Sequence, residues 1–448
     1  MRLALFSPWP PVRSGIADYA RDLATGLVNR HEVDIYVRSA EERADHALPR
    51  VQRFDAHDFP WRHARSPYDL VIYQLGNSAW HDYMWPYLFR YPGLVVLHDG
   101  ALHHARAAAL LKRQRDDDYR AELAFDHPRL PREAAELAIT AFDGPVYYDW
   151  TMLRAVVISA RGVGAHNARL ADQLSAEFPG VSVDHLAMGI PATSSSAADA
   201  AAVRSRHGLP GDAFVIGAFG GVTPEKRIGP LLRAAGVVRR YHPALRILLA
   251  GSEHSHFDVT AEARAAGVLD LLTVTGYVDE RELAAYLGAV DVVSSLRFPS
   301  AGETSASWLR ALAAGRPTIV TDLVQLADVP TIDPRSRTVV HSRATLAPEA
   351  PVAISIDILD EVHSLVLALK ALASDASLRQ QLGSNSLQYW RAHHTVAHMV
   401  EDYERAIART SALPAPVVTL PAHLRSDGFE HARDLATSVG VTLPDGWQ

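Results

Sequence analysis

The chain has 448 residues, 48% of them apolar and 21% charged, and a net charge of −7. That length is too great for one ordinary core, so two domains are expected, and the acidic balance offers no global basic field for nucleic acid. Cysteine is absent, which excludes disulfides, thiolate nucleophiles and cysteine-ligated metals.

The apolar run of Met1–Pro11 is too short for a signal peptide. No apolar stretch reaches the ~18 residues of a membrane span. The expectation is a cytoplasmic protein, with peripheral contact at the inner face of a membrane left open.

Arg2–Ser7 reads as a buried strand, and Pro8–Gly15 as the loop after it. Ile16–Val28 follows as a helix, with Ile16, Tyr19, Leu23 and Leu27 on one face. Further strands are read at 32–37, 69–76, 93–100 and 154–159, the last being "RAVVIS". Strands alternating with helices imply an α/β fold with parallel sheets covered on both faces. Residues 112–150 interrupt the alternation and read as an insertion in a first domain of residues 1–191. The Ser/Ala-rich stretch at 192–205 reads as a linker. The alternation then restarts, with strands at 214–221, 245–251, 271–278, 290–295 and 317–322, giving a second domain over 206–385. Val396, Met399, Val400, Tyr403 and Ile407 form a late amphipathic stripe. Residues 409–448 read as a tail.

Ligands of open α/β sheets bind outside the carboxyl ends of the strands, so the polar residues that follow strands are the candidates. Glu303 stands between Gly302 and the hydroxyls of Thr304, Ser305 and Ser307, where a helix begins. Two readings stay open there: a phosphate seat at unpaired helix amides, or an ordinary N-cap. Gly220, Gly221, Lys226 and Arg227 follow the next candidate strand, and lysine is rare in this chain, with three among 44 basic residues. Neither a dinucleotide fingerprint nor a P-loop is present. Gly15 opens the first helix, with Arg13 nearby. His98 and Asp99 end one strand, and Asn77 and His81 follow another. A histidine so placed can hydrogen-bond a hydroxyl or cap a helix; His103 and His104 read as surface or site. The acidic run Arg115–Arg120 reads as a solvated helix face, and no metal-ligand spacing stands out.

Taken in order, "SGIADYARDLATGL", "LHDG", "MGIP", "PEKRI", "LLAG", "TGYVDERELAAYLGAVDVVSSL" and "GETSASWLRALAAGRPTIVTD" resemble a retaining, metal-independent glycosyltransferase of the GT-B fold, in glycosyltransferase family 4. The resemblance covers about residues 1–408. It implies two Rossmann-like domains facing across a cleft, an acceptor domain first and a donor domain second, with helix 386–408 crossing back. It implies a nucleotide-sugar donor (UDP-, GDP- or ADP-linked), a glycan or lipid-linked acceptor, and no cofactor. Lys226 matches the family's phosphate-binding lysine, and Gly221 stands where an arginine is usual, so Arg227 is expected to take over that charge. Glu303 resembles the first glutamate of the family's paired signature, which contacts the transferred sugar. Arg310 replaces the second, which holds the ribose. His98 resembles the active-site histidine, and Thr275, Gly276 and Tyr277 are expected to supply backbone contacts to the base. The alternatives are a nucleotide-sugar epimerase or hydrolase on the same scaffold, or a sugar-nucleotide-binding protein without transfer activity.

Overall fold

A computed structural model describes residues 1–39, 48, 50–142, 144–340, 350–425 and 435–441. Contacts divide the chain into two units. The first comprises Met1–Leu186, Ala301–Glu303 and Val400–Gln448; the second comprises Ala187–Ser300 and Thr304–Met399.

The first unit holds a parallel sheet of seven strands: β1 (Arg2–Phe6), β2 (Glu32–Val37), β3 (Val51–Asp55), β4 (Leu70–Leu75), β5 (Leu94–Leu97), β6 (Gly162–Ala165) and β7 (Val183–His185). Their order is β3-β2-β1-β4-β5-β6-β7. Leu5 on β1 lies beside Ile35 on one neighbour and Ile72 on the other. All three are fully buried, as central strands covered by helices require. Strand order reverses between β1 and β4, so the loops after these two strands flank a natural ligand crevice.

One expectation for this unit changes. Arg154–Ser159, read as a strand, is a short helix, and the strand is the glycine-bearing Gly162–Ala165. A short unbroken apolar run carries no period to tell the two apart. Residues 112–150 are helical, at Asp116–Asp126, Ala134–Ile139 and Val146–Asp149, and build a small core from Leu110, Tyr119, Leu123 and Met152. The acidic run pairs along its own helix, Arg115 with Asp118 at 2.7 Å and Arg120 with Asp117 at 2.9 Å. In the expected tail, Leu420 and Leu424 pack with Ala155; residues 426–434 and 442–448 lie outside the described residues.

The second unit holds β8 (Phe214–Phe219), β9 (Leu245–Ala250), β10 (Leu272–Val274), β11 (Val292–Ser295), β12 (Thr318–Thr321), β13 (Thr331–Ile332), β14 (Val339–Val340) and β15 (Ala353–Ile356). Their order is β10-β9-β8-β11-β12-β15-β13-β14, parallel except for the β13–β14 pair. Here the order reverses between β8 and β11. Most of the stretch read as a linker is a helix, Ala197–Arg206, closed by a capping box of Ser196 and Asp199. Its Val203 is buried with Val215 and Leu248. Helix Ala376–His393 ends this unit, and most of Val396–Ala412 belongs to the first, where Tyr403 and Ile407 are buried.

Candidate functional site

In the second unit three adjacent strands end in bare backbone. Gly220, after β8, has φ +89°, and a Cβ there would stand 2.4 Å from the Lys226 ammonium. The left-handed conformation demands glycine. At Gly251, after β9, a Cβ would meet the Gly220 carbonyl oxygen at 2.0 Å. Gly276, after β10, bridges Gly251 and has φ +73°. Beside it the Thr275 hydroxyl donates to the Gly276 carbonyl at 2.8 Å, and the Tyr277 side chain is 47% exposed.

Lys226 closes the turn Pro224–Lys226, and its ammonium donates to the Phe219 carbonyl. Burial, and then the Arg297 guanidinium, push its pKa down to about 7. The loop after β11 is fixed beside this turn by the Phe298 N–H, which donates to the Glu225 carbonyl at 2.8 Å. The Arg297 N–H donates to the Thr321 hydroxyl at 3.0 Å. Lys226 and Arg297 thus lie at the β8–β11 reversal, where each raises the other's cost of being charged, and an anion bound there would favour the protonated lysine.

Arg227 has φ +55° and is engaged otherwise. Its guanidinium grips Glu361 through two bonds of 2.7 and 2.6 Å. The cation whose charge acts on Lys226 is Arg297, which sequence reading missed. Its signal was a basic residue just past a strand on the far side of the reversal. Gly221 is exposed, with only the Thr223 methyl near a notional Cβ.

Helix Ala306–Ala313 starts from Ser305 as N-cap, whose hydroxyl accepts the Trp308 N–H at 3.3 Å and lies 3.1 Å from the Ser307 hydroxyl. The Trp308 indole N–H donates to Thr318 on β12 at 3.1 Å and anchors the helix. One turn in, Arg310 forms an ion pair with Glu280, the first residue of helix Glu280–Ala289.

In the first unit His98 is 5% exposed, with Nε2 at 2.8 Å from the Gln74 side-chain oxygen. The Gln74 amide nitrogen donates to the Tyr403 hydroxyl at 3.0 Å, and that hydroxyl accepts from Tyr19 at 2.9 Å. With the amide so oriented, His98 carries its proton on Nε2 and keeps the Nδ1 lone pair. Burial, then His166 and His81, drive its pKa well down, so the ring is neutral at pH 7. His81 is buried, its Nδ1 bonds the Gln74 carbonyl at 2.8 Å, and burial lowers its pKa to about 4. Asp99 accepts the Asn77 N–H at 2.7 Å, and the Asn77 side-chain oxygen accepts the Ala105 N–H at 2.9 Å. Three of these residues thus shape the end of β4.

The segment Ala301–Glu303 is pinned in this unit. The Gly100 N–H donates to the Ala301 carbonyl at 2.5 Å, and the Asn167 amide donates to the Gly302 carbonyl at 2.9 Å. Gly302 has φ +71°, and Gly100 lies two residues past His98. Gly15 begins helix Gly15–Leu27 at the β1–β4 reversal, and a Cβ there would meet nothing within 4 Å. His103 is structural: its Nε2 lies 2.6 Å from the Tyr119 hydroxyl, and burial lowers its pKa to about 4. His104 stacks on Tyr147 at 4.8 Å. Among the described residues no group of three His, Asp or Glu side chains stands close enough to hold a metal ion, and no helix is long and apolar enough to cross a membrane.

Residues 213–349 match the sequence family described as glycosyl transferases group 1. No curated protein sequence matches the chain. Among solved structures, the chain is similar to Anabaena HepE in complex with UDP-glucose, at 14% identity over 91% of this chain and 99% of that one, with a TM-score of 0.62. It is similar to the sucrose-phosphate synthase of Thermosynechococcus elongatus, at 18% identity over 91% and 99%, TM-score 0.60. A glycosyltransferase from Rickettsia africae aligns at 11% identity over 92% and 98%, TM-score 0.62. The fold is therefore that of the GT-B glycosyltransferases, two parallel-sheet α/β domains, and the stretch that matches glycosyl transferases group 1 lies almost entirely in the second unit.

Proposed function

We propose that the chain is a retaining glycosyltransferase that moves a hexose-type sugar from a UDP-, GDP- or ADP-sugar to a glycan or lipid-linked acceptor, without a divalent cation. The observation that carries this reading is the buried Lys226 ammonium at the glycine-ended strands of the second unit, with the Arg297 charge acting on it, inside the segment that matches the family. A sugar nucleotide supplies both an anion for two cations and a leaving group. The Anabaena neighbour that holds UDP-glucose supports the same donor class.

In this reaction the bond from the anomeric carbon to the diphosphate oxygen breaks. The acceptor hydroxyl oxygen bonds that carbon from the same face, and the departing phosphate oxygen takes the hydroxyl proton. Lys226, Arg297 and the amides that open helix Ala306–Ala313 stabilise the developing charge. Gly221 and Thr275–Tyr277 offer backbone to the nucleotide. Glu303 accepts hydrogen bonds from the transferred sugar, with Gly302 and Thr304 beside it. The Nδ1 of His98 accepts one from a sugar hydroxyl. Gly15 opens a second anion seat, and Asn77, His81 and Asp99 shape the acceptor side. Arg227 keeps its turn in place through Glu361. The work is cytoplasmic, with peripheral contact at the membrane for a lipid-linked acceptor.

Sugar release and transfer are measured with UDP-, GDP- and ADP-glucose in EDTA, across an acceptor panel. Transfer with retained anomeric configuration supports the reading. Activity that disappears in EDTA and returns with Mg²⁺ or Mn²⁺ removes the claim of metal independence, and a product with no acceptor attached makes the protein a hydrolase or epimerase.

A further inference from the structure

The pair Arg310–Glu280 is placed one helical turn into helix Ala306–Ala313 and at the first residue of the helix that follows Thr275–Tyr277. Arg310 is mostly buried, its side chain 13% exposed, while that of Glu280 is 35% exposed. One guanidinium nitrogen holds one carboxylate oxygen, Oε1; the second oxygen makes no hydrogen bond among the described residues. A mostly buried cation thus holds a partly exposed carboxylate that has lone pairs to spare. Such a group suits two adjacent hydroxyls, each donating one hydrogen bond. Helical rise puts Arg310 about 6 Å along the axis from the helix start. That step is comparable to the reach from a diphosphate to the ribose of the same nucleotide.

Resting on the donor reading above, we infer that Glu280, positioned by Arg310, binds the ribose 2′ and 3′ hydroxyls of the donor nucleotide. The carboxylate comes from a different helix than the one that carries Arg310. Arg310 is a positioning residue. It touches the carboxylate and need not touch the ligand.

The probes are UDP, GDP and ADP, with the 2′-deoxy and 3′-deoxy forms of whichever binds, titrated calorimetrically against wild type, Glu280→Gln and Arg310→Met. A site built for a hydroxyl rejects the analogue that lacks it. The wild type should therefore bind the ribonucleotide about ten- to a hundred-fold tighter than either deoxy form, the range of a hydrogen bond to a charged group. Glu280→Gln should weaken the ribonucleotide to the level of the deoxy forms and leave the deoxy forms unchanged. Arg310→Met should do the same less completely, with melting curves confirming that both variants fold. Undiminished ribose discrimination in Glu280→Gln overturns the inference alone. A wild type that binds no nucleoside diphosphate overturns the donor reading and this inference with it.

Discussion

A lysine held near pKa 7 is only half protonated in a neutral buffer, so Lys226 reports on its own ligand. A diphosphate beside it favours the charged form, and binding above pH 7 must draw in a proton. Calorimetry at pH 8 in buffers of different ionisation enthalpy should detect uptake approaching one proton per UDP, GDP or ADP bound, and none in Lys226→Met. Affinity should fall as pH rises through 7. The empty protein behaves oppositely. Its folded pKa lies below the ordinary lysine value, so the unfolded chain holds more protons between the two, and this residue's contribution raises stability as pH climbs from 7 toward 10. Lys226→Met should flatten that part of the melting-temperature profile. A wild-type profile identical to the variant's contradicts the assignment. Lys226, Glu303 and His98 were legible as candidates because each follows a strand. Arg297 and Glu280 were not singled out, because their meaning arises from residues distant in sequence: Lys226, on which the Arg297 charge acts, and Arg310, which pairs with Glu280.

At the scale of elements, the glycines that end β8, β9 and β10 make two substitutions informative. Gly220→Ala strains a left-handed backbone and crowds the Lys226 ammonium. Because that ammonium ends a flexible side chain it can move, so diphosphate affinity should fall in addition to the roughly 1–2 kcal/mol of stability that the left-handed backbone costs. Gly251→Ala drives a methyl into the Gly220 carbonyl, so backbone must move, with a cost of about 1–3 kcal/mol typical of overpacking. Chemical denaturation and diphosphate titration of both variants distinguish the cases, and a larger loss of diphosphate affinity in Gly251→Ala than in Gly220→Ala would count against this division. Strands β1, β2, β4, β5 and β8–β12 were legible from apolar runs followed by polar residues, whereas β3, β6, β7 and β13–β15 were not read. Arg154–Ser159 was misread, since a short apolar run serves helix or strand alike. Helix Ala197–Arg206 hid behind its small residues, although Ser196 and Asp199 have capping-box spacing.

At the scale of the whole chain, Tyr403 lies 384 residues from Tyr19, yet the two hydroxyls hydrogen-bond beside Gln74 and His98. The late amphipathic stripe was visible as a helix; its polar contact was not, because a tyrosine in an apolar stripe reads as core. Tyr403→Phe removes the hydroxyl that orients the Gln74 amide. That frees the amide to turn and offer its N–H to His98, which shifts the His98 proton to the other nitrogen. Transfer, read as kcat/KM, should fall about tenfold or more, the range of a buried hydroxyl that loses its acceptor. Unaltered kcat/KM would separate this network from the reaction. The central claim is that Lys226 and Arg297 together hold a nucleotide diphosphate without a metal ion. It is tested most directly by calorimetric titration of UDP, GDP and ADP in EDTA into wild type, Lys226→Met and Arg297→Met. Binding in the wild type and a loss of about tenfold or more in each variant, the least expected for a charge-assisted hydrogen bond, is the predicted result. Equal diphosphate affinity in all three proteins contradicts it.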